Sequence, residues 1–127
     1  MNIKNKSLCN VNWNQDIDSI LDLLTPEISG YFEPTSYSVM KNTKKTQKCI
    51  GIFDLFDKRV AHIWPHKETK SFDICMKIDL VEAIRNKCDL PPHKDPKKER
   101  TPYWRTFQRV PLSTMLEMMY ALSSALM

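Results

Sequence analysis

The chain contains very little glycine: Gly30 and Gly51 are the only two glycines among its 127 residues. Loops that cradle phosphate groups need several glycines, because the backbone must approach the ligand without side chains in the way. This scarcity excludes phosphate-binding and dinucleotide-binding loops of the glycine-rich type.

Long apolar runs and paired cysteine motifs are also missing. No run approaches the roughly 18 residues that a membrane span requires, and the first residues contain no apolar segment typical of a secretory signal. We expect the widely spaced cysteines to be reduced, mostly buried thiols, because none forms a CxxC pair: Cys9, Cys49, Cys75 and Cys88. These absences favour a cytoplasmic protein with no membrane contact, no cofactor and no metal site.

The charge of the chain is unevenly distributed. The net charge is +4, but residues 41–110 contain 17 Lys/Arg against 9 Asp/Glu, and the remaining residues are acidic. A basic middle region attracts phosphate groups or an acidic protein surface. The alternative is that these lysines only solvate strand edges and loops.

An amphipathic helix is predicted near the beginning of the chain. Its apolar residues recur with helical spacing at Ile17, Ile20, Leu21 and Leu24. Asn14 or Asp16 can cap this helix. Thr25-Pro26 either ends it or opens a second short turn, and residues 30–36 are predicted to form a loop.

The middle of the chain shows the alternation of β-strands. A short strand is predicted at residues 37–41, and three more at 48–56, 59–64 and 71–78. Pro65 is predicted to end the strand at 59–64. Asp79 is predicted to cap a short helix over residues 79–87. A further strand at residues 104–110 precedes a final helix from Ser113 onward. The order predicts one α+β domain over residues 1–127, a two-layer sandwich with a mainly antiparallel sheet of four or five strands and helices on one face.

Residues 88–103 are rich in proline and in basic side chains. They are predicted to form an exposed, flexible loop. The final segment contains Met115, Met118, Met119 and Met127, which are interpreted as core residues of the helix. The other interpretation is a homodimer through this Met-rich helix.

The histidines His62 and His66 do not identify a metal site or a reaction. On an extended strand, residues four apart lie about 13 Å from each other, too far to share one ion. A histidine-dependent nuclease, with His62 or His66 as general base and Lys67 or Arg59 at a phosphate, has the required residue types but no characteristic spacing. We therefore assign no catalytic residue.

Basic and aromatic residues are interleaved along the middle of the chain. Lysine and arginine contact phosphates, and exposed aromatic rings stack on bases or pack in protein interfaces. The competing interpretation is that Trp64 and Trp104 belong to the core. The predicted binding residues are Lys44, Lys45, Arg59, His66, Lys67, Lys70, Lys97, Lys98, Arg100, Trp104 and Arg105.

From about residue 37 to residue 127 the order of features resembles a family of small uncharacterised α/β domains, found alone or beside restriction-modification and predicted-transport proteins. The segments "CIGIFDLFDKRVAHIWPHKETKSFDICMKI" and "WRTFQRVPLSTMLEMMYALSSAL" resemble the strands, the Pro-x-Lys turn and the final strand and helix of that family. The resemblance implies an accessory binding domain in a nucleic-acid or host-defence setting.

Two functional hypotheses follow from the sequence, with the histidine-dependent nuclease as a weaker third. The first is a non-enzymatic module that binds nucleic acid through its basic and aromatic surface. The second is a small inhibitor or immunity-type protein that binds and blocks a partner protein, because uneven charge and exposed aromatic residues also suit an acidic protein partner.

Overall fold

The computed structural model describes residues 10–127, so that Cys9 lies outside the described residues. Its elements follow the chain as α1 (Ile17–Phe32), β1 (Ser38–Lys44), β2 (Gln47–Phe53), β3 (Arg59–His66), β4 (Ser71–Lys77), α2 (Ile78–Ile84), β5 (Trp104–Val110) and α3 (Leu112–Ala125). A single 3₁₀ turn, Pro96–Lys98, lies in the segment between α2 and β5.

The five strands form one sheet in the order β1-β2-β3-β4-β5, and each neighbouring pair is antiparallel. Helix α1 contacts β1 and β2, while α3 contacts α1, α2 and β4, so that the helices form a second layer. The core between the two layers contains Ile63, Phe72 and Ile74, none of which is exposed to solvent. The predicted α+β sandwich is therefore confirmed.

Helix α1 is longer than the sequence predicts. Asp16 is the capping residue, because its side chain accepts a hydrogen bond of 2.8 Å from the Ser19 amide. The helix continues without a break through Pro26 to Phe32. Of the two alternatives at Thr25-Pro26, the one in which the helix ends there is wrong, and the further helical residues belong to α1 itself. The predicted loop at residues 30–36 is wrong for residues 30–32. Ile28 and Phe32 extend the buried stripe, and their burial offsets the backbone hydrogen bond that proline removes.

The end of β3 and the beginning of α2 also differ from the predictions. Strand β3 includes Pro65, which pairs with Phe72 of β4, whereas the pairing between β2 and β3 extends only as far as Ile63. A residue without an N–H is tolerated where one side of its strand has no neighbour. Helix α2 begins at Ile78 with Lys77 as its N-cap, and Asp79 lies in its first turn instead of capping it.

The methionines of α3 belong to the core. Met115, Met118 and Met119 have no solvent exposure, whereas Met127 is exposed. The core interpretation is therefore confirmed for the first three methionines and wrong for Met127, which lies beyond the end of α3. The homodimer remains a prediction. Within residues 10–127, no helix has the length and apolar character needed to cross a bilayer.

Residues 88–103 are attached to the sheet at several points. His93 forms an isolated bridge with Phe107 of β5, and the Lys94 amide donates a hydrogen bond of 2.7 Å to the Thr106 carbonyl. The Glu99 carboxylate accepts hydrogen bonds from the Thr106 amide (2.7 Å) and the Thr106 hydroxyl (2.9 Å). The segment therefore runs along the outer edge of β5, and its flexibility remains a prediction.

Candidate functional site

The sheet has one face that the helices do not cover, and we call it the open face. Alternate residues of a strand point to the same side of a sheet, and the strand register identifies which residues share this side. A β-bulge at the start of β3 pairs Arg59 with Phe53 and so brings Arg59 to the side of His62. The residues of the open face that matter for a binding site are Met40, Asn42, Lys44, Cys49, Gly51, Phe53, Arg59, His62, Trp64, His66, Asp73, Cys75, Lys77, Trp104 and Thr106.

Three aromatic side chains meet on the open face, and we call them the ring cluster: His62, Trp64 and Trp104. The His62 ring stacks on Trp104 with ring centres 5.4 Å apart and meets Trp64 edge-on at 5.6 Å. Both indoles are partly exposed. The two tryptophans therefore do not belong to the core between sheet and helices. They contact His62 on the face of the sheet opposite the helices.

The imidazole of His62 is uncharged at neutral pH. Burial, together with the nearby positive charge of Arg59, lowers the pKa of His62 to about 4. Its Nδ1 atom is buried and has no hydrogen-bond partner among residues 10–127. A histidine with so low a pKa is poorly suited to be the general base that the nuclease hypothesis requires. His62 contributes an aromatic surface between two indoles.

Arg59 extends over the open face without an acidic partner. Its Nη1 atom lies 4.0 Å from the Sγ atom of Cys49, and burial raises the pKa of that thiol, so Cys49 stays neutral at physiological pH. In the described part of the chain, no carboxylate forms an ion pair with Arg59. The half-buried guanidinium is therefore available to an anion.

A cleft of about 400 Å³ lies on the open face over the β1–β2 hairpin, and we call it the hairpin cleft. It is lined by Met40, Lys41, Asn42, Thr43, Lys44, Cys49, Gly51, Phe53 and Arg59. Gly51 lies beneath the Phe53 ring: a Cβ atom there would stand 2.7 Å from Phe53 Cε1. The absence of a side chain at residue 51 thus lets the ring lie flat against the strand.

The predicted binding residues fall at two opposite ends of the sheet. Consecutive antiparallel strands place the β1–β2 and β3–β4 turns at one end, which we call the first end, and the β2–β3 turn at the second end. The first end carries Lys44, Lys45, His66, Lys67 and Lys70, and the second carries Arg59, Lys97, Lys98, Arg100, Trp104 and Arg105. The structure therefore does not gather them into one patch.

His66 and Arg105, both predicted binding residues, form polar contacts within the chain. The Nε2 atom of His66 lies 3.1 Å from an Asp73 carboxylate oxygen, beside a second cleft of about 420 Å³. Arg105 is paired with the buried Met76 and so belongs to the helix side of β5. Its guanidinium donates hydrogen bonds to the Pro102 and Trp104 carbonyls. Arg105 thus fastens the end of the segment 88–103 instead of facing the ring cluster.

The thiols and carboxylates of the described region do not form a metal site. Cys49, Cys75 and Cys88 are free thiols, and burial is the main cause of the raised pKa of each. Within residues 10–127, no three or more His, Cys, Asp or Glu side chains converge in the way that a metal ion needs.

The sequence predictions omitted Asn42, Gly51 and Phe53, which line the hairpin cleft. The alternation of β2 was a usable signal, since it puts Cys49, Gly51 and Phe53 on the face opposite Ile50 and Ile52. The register between β1 and β2, which brings Asn42 beside Cys49, could not be read from either strand alone.

Comparison with protein-family models, with curated proteins and with solved structures finds no match to this chain.

Proposed function

We propose that the chain is a non-enzymatic nucleic-acid-binding module whose contact surface is the open face. The observation that carries this proposal is the arrangement of the ring cluster beside Arg59, a half-buried cation that forms no ion pair with a carboxylate of residues 10–127. Proteins that bind unpaired nucleic acid combine stacking rings with cations that follow the backbone.

The aromatic part of this surface is rigid. Trp64 lies on β3, Trp104 begins β5, and His62 holds the two indoles apart by contacting both. A ring that is already held in place loses little conformational entropy when a base stacks on it. A base–ring contact contributes about 1–3 kcal/mol to binding when measured by alanine substitution.

The charges around the rings favour an anionic ligand. Lys77 is paired with Trp104 across β4 and β5, and Lys44 lies at the end of β1. The acidic residues nearest to the rings are already engaged: Asp73 with His66, and Glu99 with Thr106. The cations therefore remain for phosphates, whose contacts supply most of the affinity in non-specific binding.

Binding can be measured by fluorescence anisotropy with labelled single-stranded DNA, single-stranded RNA and duplex DNA at about 50 mM salt. We expect Trp64→Ala to weaken binding about 5- to 100-fold, the range that corresponds to the loss of one stacking contact. Arg59→Ala should weaken binding and also reduce its dependence on salt, because one phosphate contact is lost.

Arg85→Ala is the matched control for Arg59→Ala. Arg85 follows α2 in the helix layer and pairs with Glu82, so its loss should leave binding unchanged. The proposal is wrong if the unmodified protein binds none of the three nucleic acids at this salt concentration, or if Arg85→Ala weakens binding as much as Arg59→Ala.

A second candidate function, a small inhibitor or immunity-type protein, is favoured by the β2–β3 turn. Leu55 and Phe56 are 71% and 78% exposed there. The Asp54 carboxylate accepts hydrogen bonds from the Phe56 and Lys58 amides and so fixes the turn. Large apolar side chains exposed together on a surface mark a site of protein–protein contact, and a fixed turn presents this pair to a pocket of a partner protein.

This candidate predicts that one protein copurifies with the chain in stoichiometric amount from nuclease-treated extract of its native host. Replacing Leu55 and Phe56 together by aspartate should abolish that copurification, because the charges would have to be desolvated in the partner's pocket. Leu23→Asp is the control, since Leu23 is exposed on α1. Retention of the partner by the double variant would exclude the turn as the contact.

A further inference from the structure

We propose that the hairpin cleft binds one unpaired nucleotide, and that the ligand of the open face is therefore single-stranded nucleic acid. This inference rests on the proposed function and specifies its ligand class. The cleft lies next to the ring cluster, because Gly51 in its wall is paired with His62 of β3. A strand that stacks on the rings can thus place an adjacent nucleotide in the cleft.

The charges of the cleft favour an anion. Two cations of the open face, Lys44 and Arg59, line it, and no carboxylate of residues 10–127 does. Lys41 also borders the cleft, but it is paired with the buried Ile50 and so belongs to the helix side of β1. Lys41 forms an ion pair with Asp22 of α1, whereas neither Lys44 nor Arg59 forms an ion pair in residues 10–127. A phosphate group at the rim would be contacted by these two cations, and arginine can bind it through two parallel hydrogen bonds.

The apolar and amide groups of the cleft suit a base. Met40 and Phe53 provide apolar surface, and the Phe53 ring occupies the space that a side chain at residue 51 would need. The Asn42 Oδ1 atom accepts a hydrogen bond of 3.0 Å from the Lys44 amide. This contact fixes the amide group of Asn42 and leaves its Nδ2 hydrogens as donors for an acceptor on a base edge.

A duplex cannot use these groups together. The bases of a duplex are stacked and paired, so that a single base reaches a concave cleft only after it has been unstacked at a cost of a few kcal/mol. In a single strand the bases are free to turn outward. The cleft therefore distinguishes single-stranded from duplex nucleic acid, which the cations alone would not do.

The test measures the affinity of a labelled single-stranded oligonucleotide and of a hairpin duplex of the same length for the unmodified protein and two variants. We expect the single strand to bind at least 10-fold more tightly than the duplex. Asn42→Ala should weaken single-strand binding about 5- to 10-fold, as expected for one lost hydrogen bond, and leave duplex binding unchanged. Asn86→Ala, at an exposed position after α2, is the matched control and should change neither affinity.

Asn42→Asp is the second variant, because it keeps the size of the side chain and replaces the donors with a negative charge. We expect it to weaken single-strand binding more than Asn42→Ala does, since the carboxylate repels the phosphate. The thermal unfolding midpoint of each variant shows whether it is folded. A variant with a normal midpoint and unchanged single-strand affinity would overturn the inference.

The outcomes separate this inference from the proposed function. Equal affinity for single strand and duplex, together with weaker binding by Trp64→Ala or Arg59→Ala, would overturn the single-strand assignment and leave the proposed function standing. A free mononucleotide that binds as tightly as the oligonucleotide would also overturn it. If neither nucleic acid binds, the proposed function fails, and the inference fails with it.

Discussion

His62 shows how one side chain on the open face links packing to protonation. Its ring lies between Trp64 and Trp104, and its Nδ1 atom is buried without a partner in the described part of the chain. Placing a positive charge there would cost free energy, because neither water nor a carboxylate would stabilise it. The low pKa of His62, about 4, follows from that burial and from Arg59.

This low pKa predicts how stability depends on pH. Above pH 6.5, the ordinary pKa of histidine, His62 is neutral in both states and has no effect. As the pH falls from 6.5 to 4, the unfolded chain binds a proton that the folded chain does not, so stability decreases, and below pH 4 the loss is complete. We expect His62 to account for roughly 1–3 kcal/mol of that decrease.

Urea unfolding at several pH values between 7 and 4 checks this prediction. The difference in unfolding free energy between the unmodified protein and His62→Gln should change over this interval, whereas the difference for Asn86→Ala, at an exposed position, should stay constant. A constant difference for His62→Gln would show that the imidazole is not desolvated.

Single residues also mark the limits of prediction from this sequence. The alternation of β4 correctly places Phe72, Ile74 and Met76 in the core. The same alternation predicts that Ser71 lies on the opposite face, where the strand register puts it beside His66, yet Ser71 is buried there. The strand boundary at Pro65 was missed because the effect of a proline depends on whether a neighbouring strand needs its N–H, and only the completed sheet decides that.

Among the elements, α1 contains a proline in its interior, and the sequence alone did not show that the helix continues past it. Pro26 lies inside the helix, and the Thr25 hydroxyl donates a hydrogen bond to the Leu21 carbonyl one turn earlier. We expect Pro26→Ala to raise the free energy of unfolding by about 1–3 kcal/mol, because it restores one helical hydrogen bond and removes the clash of the proline ring.

Chemical denaturation gives this free energy directly. Pro34→Ala is a suitable control, since Pro34 lies just beyond the end of α1 and its replacement restores no helical hydrogen bond. A decrease in stability for Pro26→Ala would show that the proline's restriction of the unfolded chain outweighs the strain in the helix.

The carboxylate of Glu99 makes two of the hydrogen bonds that attach the segment 88–103 to β5. Glu99 accepts two hydrogen bonds from Thr106 of β5, and Thr106 also lies 3.4 Å from the Cys75 thiol. We expect Glu99→Ala to release residues 94–103 from the edge of β5, and amide hydrogen exchange at Thr106 should become at least 10-fold faster.

Hydrogen exchange measured by mass spectrometry or NMR tests this effect. Glu68→Ala is the control, because Glu68 lies in the β3–β4 turn at the other end of the sheet. Unchanged exchange at Thr106 in Glu99→Ala would mean that His93 and Lys94 suffice to hold the segment.

For the whole molecule, the fold class followed from the sequence because the strands alternate clearly and each helix has an apolar stripe. The candidate site did not, since a binding surface depends on strand register and on which turns share an end of the sheet. Lys67 and Lys97, for example, are both basic and exposed or partly exposed, yet they lie at opposite ends. Composition groups such residues, and only the topology separates them.

The separation of the two ends predicts an additive salt dependence if a strand runs across the open face. Two double variants test this: Lys67→Ala with Lys70→Ala at the first end, and Lys97→Ala with Lys98→Ala at the second. Each double variant should reduce the slope of log affinity against log salt by about 1.4, because each lost phosphate contact of a single strand accounts for about 0.7. All four substitutions together should reduce it by the sum. If one double variant leaves the slope unchanged, the bound strand is confined to the other end of the sheet. Lys87→Ala, at a position after α2, is the control for the general loss of positive charge.

The consecutive order of the strands has a consequence for folding kinetics. Strands β1 to β4 can pair one hairpin after another, each closing a short loop, whereas β5 pairs with β4 only after residues 78–103 have been brought together. Loop closure becomes slower as the loop grows. We therefore expect the four-stranded meander to form early, and the docking of β5 with Phe107 and Val110 to limit the folding rate.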